Sequence, residues 1–450
     1  MSRTEFSHTP EQLRQLAADI LDHAKSIGAS DCEADVSEGY GQSVTVRKGE
    51  VETIEYNRDK GIGVTVYLGQ RRGNASTSDF SPAALRATVE KAATIARFTA
   101  EDSAAGLPDE ALLARGPGPD LDLFHPWPMP VEEAIEAARR CEAAAFAVHP
   151  LISNTEGASV SAQQSHFVSA NSRGFMAGYP TTRHYISCAP IAGAPGDDGD
   201  MQRDDWYSSK RDPADFPSPE SIGEYAAQRA LARLHSRKLK TRQVPVLFEA
   251  PIAAALIGSF VHAVSGGALY RKSSFLLDSL GKKIFPDFVQ ISETPFIRKG
   301  LASGYFDDDG VATKARDVVT NGMLQGYFLS TYSARKLGMQ TTGNAGGCHN
   351  LIVQSGHHDF KGLLKEMGRG LLVTELLGHG VNYVTGDYSR GAAGYWVEHG
   401  EIQYPVDEIT IAGNLKDMFM GIAAIGNDVV ARGSKQVGSI LLERMTIAGN

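Results

Sequence analysis

The chain has 450 residues, 44 of them basic and 53 acidic, for a net charge of −9, and 42% of it is apolar. That composition excludes wholesale disorder and argues against a dedicated phosphate-backbone binder, which would carry a basic excess. Glycine accounts for 47 residues, about a tenth of the chain against a usual ~7%, with no collagen-like period. These glycines belong to turns, bulges and close backbone approaches.

The opening Met1–His8 stretch lacks the apolar run of a signal peptide. The cysteines Cys32, Cys141, Cys188 and Cys348 lie far apart and read as reduced thiols, so the expected location is cytoplasmic. Thr9-Pro10-Glu11-Gln12 opens a helix with a capping box, its apolar face runs from Leu13 to Ile27, and Gly28 ends it. Ser43–Arg47 and Val51–Tyr56 predict a hairpin about Lys48-Gly49, and Gly63–Leu68 a further strand. Ser81-Pro82 opens a second helix. The pattern then recurs: a helix from Val131 to Ala147, strands between Ile152 and Tyr207, and a helix opened by Ser218-Pro219. Five basic residues between Arg233 and Arg242 read as a solvated helix end and linker, not a nucleic-acid patch.

Beyond that linker, 29 of the 47 glycines fall between Val244 and Asn450. Short apolar strands such as Gly370–Leu377 and Gly394–Tyr404 alternate with turns, as a curved antiparallel sheet or barrel requires. Ile409–Asn414 is nearly repeated as Met445–Asn450, one strand-to-turn device used twice. The expected fold is α+β: an N-terminal helix–strand–helix domain of two similar units over 1–240, then a Gly-rich, β-dominated domain over 241–450. The longest apolar run, Pro251–Val264, is roughly 14 residues, short of the ~20 that span a membrane. It predicts a helix packed on nearly all sides, with His262 as a satisfied core histidine.

Common chemistries fail on inspection. A dinucleotide loop at Gly61-Ile-Gly63 would need glycine where Val66 stands, and Arg271 precedes Lys272 where a phosphate loop needs glycine. No G-x-S-x-G elbow and no H-E-x-x-H occurs. Asp307-Asp308-Asp309 before Gly310 reads as a turn. His349, His357 and His379 give no ligand pattern.

Several long strings are distinctive: Asp120–Pro126, Ala268–Gly281, Ser330–Gly338, Thr385–Glu398, Gly400–Val406 and Ile409–Met418. In these the chain resembles the TldD/PmbA family throughout its length. The resemblance implies a cytoplasmic zinc peptidase of paired subunits acting on small or unfolded polypeptides. It also carries links to peptide-antibiotic maturation, antitoxin degradation and modulation of DNA gyrase. In the TldD-type subunit a helix carries H-E-x-x-x-H and a cysteine near the C-terminus completes the zinc site. Here Val261 and Gly266 align with the two histidines and His262 with the glutamate, and Gly426–Gly438 has no cysteine. The chain therefore resembles the PmbA-type subunit, with no metal or cofactor of its own and zinc in a TldD-type partner. Either a heterodimer with that partner or a homodimer is expected, with no nucleic acid and no membrane. The polar turn Asp387–Arg390 is the candidate contact for substrate or partner, and the Gly-rich strands suit an extended peptide. Two alternatives stay open: a stand-alone metallopeptidase with an unrecognised site, and a non-proteolytic modulator of DNA gyrase or another regulator.

Overall fold

The computed structural model describes residues 6–194 and 200–449. Helix α1 (Pro10–Ser26) is followed by strands β1 (Asp31–Arg47), β2 (Glu50–Leu68) and β3 (Arg71–Thr77), then α2 (Pro82–Phe98). The second unit runs α3 (Val131–Val148), β4 (Ile152–Asn171), β5 (Met176–Ala177), β6 (Pro180–Ala192), β7 (Gln202–Arg203), β8 (Trp206–Lys210) and α4 (Pro219–Ala232). The caps read from sequence form: Gln12 N–H donates to Thr9 Oγ1 while Thr9 N–H donates to Gln12 Oε1. Lys48 and Gly49 sit at φ 53° and 77°, the paired positive angles of a tight hairpin turn.

The two strands expected at Val51–Tyr56 and Gly63–Leu68 are a single 19-residue strand, β2. The polar Asn57–Lys60 stretch between them stays extended because it pairs residue for residue with Glu38–Gly41 of β1. Strand β1 also pairs with β4, from Glu33↔Asn171 to Val46↔Ala158, so both units share one eight-stranded sheet. Alternation then decides the layers. Cys32, Ala34 and Val36 of β1 pack under α1 and α2, whereas Val44 and Val46, on the same face, pack under α3 and α4. A Cβ on Gly223 of α4 would lie 1.9 Å from the Cys141 carbonyl of α3, so the close approach of these helices demands glycine there.

The remainder comprises β9 (Arg242–Phe248), α5 (Ala250–Ala263), α6 (Gly266–Tyr270), β10 (Ile291–Glu293), β11 (Arg316–Thr320), β12 (Met323–Leu324) and α7 (Thr331–Lys336). Then come β13 (Leu351–Val353), α8 (Phe360–Met367), β14 (Gly370–Leu377), β15 (Asp387–Glu398), β16 (Glu401–Asn414), α9 (Leu415–Met420), β17 (Ile422–Ile425), β18 (Lys435–Gln436) and β19 (Ile440–Ala448). One sheet has the order β12-β11-β10-β13-β18. The other runs β16-β15-β14-β9-β19-β17, and an added β16–β19 pairing closes it into a ring. The near-repeat is what closes the ring: Ile411 of its first copy pairs with Ile447 of its second. Asn450 lies outside the described residues. Inside, Phe248, Phe260, Phe285, Trp396 and Phe419 are fully buried in one core. No helix among the described residues is long and apolar enough to cross a membrane.

The two halves are bolted together. The buried Arg211 guanidinium donates to Thr182, Gly300 and Leu301 carbonyls, and Arg335 donates to those of Gly106 and Leu107. Glu33 of β1 faces this junction. Burial, then the nearby Asp309, pushes its carboxyl up to about 7 from an ordinary 4.5. A raised folded-state pKa means that the folded chain holds a proton that the unfolded chain releases. Its contribution is therefore full below about 4.5, falls as pH rises to about 7, and stays low above. Glu33→Gln keeps an acceptor for the Tyr67 hydroxyl, which donates to Glu33 at 3.3 Å. Urea unfolding is expected to show this variant more stable than the parent at pH 8, by on the order of 1–3 kcal/mol, with the gain vanishing near pH 4.5.

Candidate functional site

Strand β9 carries the chain through the core and delivers it to α5 by way of Glu249, the N-cap residue. Ala253, Leu256, Ile257, Phe260 and Ala263 of α5 are buried. Its other side is open, contrary to the expectation of packing all round: Pro251, Ile252, Ala254 and Ala255 line a cavity of about 520 Å³. Small residues make the helix apolar without needing cover, which is why composition alone overstated its burial. His262 is likewise exposed rather than in the core, with its ring centroid 4.0 Å from that of Tyr383. Partial desolvation, then the nearby Arg271, holds its pKa below the usual histidine value.

The cavity lies where the two halves meet. Trp206 and Tyr207 of β8, Arg229 of α4 and its C-cap Arg233 come from the first half; Glu375 of β14, Arg390 of β15 and the 430–435 segment come from the second. Arg229 donates to Glu249 at 2.8 Å and lies 3.3 Å from Asp204, while Arg233 reaches Glu375 at 2.6 Å. Arg432 stacks between Trp206 and Tyr207, 3.8 and 3.9 Å from the ring centroids. Six basic residues line the space against four acidic ones, a positive lining in an acidic chain.

The positions aligned with the zinc motif do not fit a zinc ion. Val261 is half-buried against the core and offers no donor, leaving His262 as the one imidazole. Gly266 donates its N–H to the Phe328 carbonyl, and a Cβ there would lie 2.1 Å from Ser333 Oγ and 2.5 Å from Ser333 Cβ. Ser333 is fixed in the capping box of α7, so a histidine at 266 would have to displace that helix. Among the described residues, no group of three or more His, Cys, Asp or Glu side chains is arranged to hold a metal.

The turn candidate divides. Arg390 reaches the cavity lining. Asp387 does not: it accepts from Thr385 Oγ1 at 2.6 Å and Asn414 Nδ2 at 3.2 Å, and these two bonds hold its carboxyl below the usual range. The basic linker is likewise not simply solvated, since Arg233 is tied into the cavity wall. Sequence reasoning missed Arg432 and its two aromatic partners. Some 225 positions separate them, and no local pattern marks an arginine beside a glycine.

Matches to family descriptions cover most of the chain: PmbA/TldA metallopeptidase domain 1 over residues 32–96, the central domain over 124–234 and the C-terminal domain over 241–449. The chain belongs to the PmbA/TldD metallopeptidase family. Within that family it is 51% identical over 429 residues to Metalloprotease PmbA of Escherichia coli O157:H7, covering 95% of this chain and 94% of the relative. It is 45% identical to a Metalloprotease PmbA homolog of Haemophilus influenzae, covering 98% and 97%. The crystal structure of a candidate DNA-gyrase modulator from Bacteroides thetaiotaomicron superimposes with a TM-score of 0.92 at 26% identity, covering 98% of this chain and all of that one. TldE from Thermococcus kodakarensis shares the PmbA/TldD fold, with a TM-score of 0.84 at 20% identity over 96% and 100% of the two chains.

Two glycines near the site predict opposite outcomes. A Cβ at Gly258, inside α5, would meet only Lys435 Cε at 3.5 Å, an ordinary contact. Gly258→Ala is expected to stabilise the chain by about 0.5–1 kcal/mol through helix propensity. Gly266→Ala is expected to destabilise it by about 1–3 kcal/mol through the clash with Ser333. Chemical denaturation of the two variants checks both signs.

Proposed function

We propose that this chain is the PmbA-type subunit of a TldD/PmbA peptidase, cleaving small or unfolded polypeptides in the cytoplasm with zinc supplied by a TldD-type partner. The single observation that carries the reading is the sealed position at Gly266, joined to the absence of a donor at Val261. A chain of a metallopeptidase family whose motif positions hold no ligands contributes surface rather than metal chemistry. Its own residues do three things in this account. The half-open face of α5 forms one wall of the substrate chamber, the basic lining draws anionic groups toward it, and the Gly-rich strands admit an extended backbone. The processes implied by the family resemblance, peptide-antibiotic maturation and antitoxin degradation, are the substrate classes to try first.

A second reading has one observation in its favour: solved relatives are described as candidate modulators of DNA gyrase. Under that reading the chain binds a regulatory protein and no proteolysis follows. Purification alone and after co-expression with a TldD-type chain separates the readings. The subunit account expects the isolated chain to be a dimer by light scattering, without stoichiometric zinc and without peptidase activity. It expects the co-expressed pair to form a mixed assembly that degrades an unfolded polypeptide. Zinc near one per chain with activity in the isolated protein would contradict it, and so would failure of the two chains to associate. Retention of a gyrase subunit by the isolated chain, without any peptidase activity in the mixture, would favour the second reading.

A further inference from the structure

Three cations in the cavity lining lack a direct ion pair among the described residues, although Asp205 and Glu249 lie near enough to act on Arg432. Arg390, Arg432 and Lys435 form no ion pair within 4.0 Å among the described residues, whereas Arg229 and Arg233 in the same lining are both paired. Arg432 is the most telling. Trp206 and Tyr207 hold the two faces of its guanidinium, so its plane is set before any ligand arrives. Its Nε and Nη2, the edge that a carboxylate grips with both oxygens, are buried without a hydrogen-bond acceptor, and so is Nε of Arg390. Burial holds the pKa of Arg432 below the usual arginine value, although the group stays charged at neutral pH. Desolvated guanidinium donors left unpaired cost free energy that an incoming anion restores.

The surroundings favour a peptide as the source of that anion. Strand β8, which carries Trp206 and Tyr207, pairs only with β6, and β18, which carries Lys435, pairs only with β13. Two short strands at the cavity therefore each have one edge without a strand partner among the described residues, the feature that strand addition by an extended peptide uses. A second cavity of about 620 Å³ begins at the neighbouring residues Val429 and Gln436. Its lining is mostly neutral, with Asp317 as the one charged side chain.

We propose that the cavity between the two halves is a receptor for a peptide carboxylate, gripped by Arg432 and assisted by Arg390 and Lys435. This rests on the reading of the chain as a peptide-binding subunit. The carboxylate is either the C-terminal group of the peptide or an Asp or Glu side chain near its end.

Calorimetric titration of the full chain with four N-acetylated, unstructured hexapeptides tests the proposal. One has neutral side chains and a free C-terminus, the second is its C-terminal amide, the third is that amide with one Glu, and the fourth has Gln in place of the Glu. The free acid, the Glu amide or both are expected to bind about tenfold or more tighter than their neutral counterparts. Which of the two gains identifies the source of the carboxylate. Arg432→Gln is expected to erase that preference, and Lys435→Gln to reduce it. Should Arg432→Gln fail to fold, Lys435→Gln alone decides. Equal binding of all four peptides, or a preference that survives in the variants, would overturn the receptor while leaving the peptide-binding reading intact. No binding by any of the four would remove both.

Discussion

A buried network of opposite charges holds the cavity in shape. Arg229 and Glu249 have only 13% and 14% of their side chains exposed, yet they meet at 2.8 Å. Asp204 joins Arg229 on one side and lies 3.8 Å from Arg233 on the other, and Arg233 continues to Glu375. Four elements are tied by this one chain of contacts: the loop before β8, helix α4, the N-cap of α5 and strand β14. Charges taken out of water are costly unless paired, and losing one partner of such a pair typically costs about 3–5 kcal/mol. Burial disfavours the charge on Arg229, but Glu249 and Asp204 more than offset this, so it stays cationic. Arg229 to Glu249 and Arg233 to Glu375 thus join the first half to the second at the wall of the cavity.

Under the proposed subunit reading, α5 stands where the family's peptidase helix would stand, without its ligands. Helix α5 keeps its place beneath the cavity, with small residues facing the open space. Valine and glycine stand at the motif positions, and Ser333 fills the room that a side chain at 266 would need. The neighbouring lining is basic rather than metal-ligating. A shared fold does not by itself fix the local task, because chemistry resides in the site and not in the scaffold.

Much of the architecture was legible from local signals. Capping residues mark the starts of α1, α2 and α4, Lys48-Gly49 marks the first hairpin, and the near-repeat ending at Asn414 marks a recurring strand. These are short-range effects, in which a side chain satisfies backbone groups a few positions away. Where the sequence reading went astray, a partner distant in sequence decided the outcome. Strand β2 runs unbroken because β1 pairs with its polar middle, and His262 is exposed because α5 buries only one face, through residues such as Phe260 and Ala263. The aromatic slot around Arg432 joins segments from both ends of the tertiary structure, with no period to reveal it. That Val261 and Gly266 carry no donor is plain in the sequence, but the steric seal at Gly266 belongs to α7 and required the fold.

The central claim is that this chain shapes a substrate chamber and leaves the chemistry to a partner. His262, the one imidazole at the motif positions, is the residue on which that claim is most exposed. The decisive measurement is kcat for His262→Ala in the reconstituted complex with a TldD-type subunit, taken beside the melting temperature and assembly state. The account predicts kcat nearly unchanged. A fall of about a hundredfold or more, the scale of a lost general acid or base, with melting and assembly unaltered, would contradict it and make this chain catalytic.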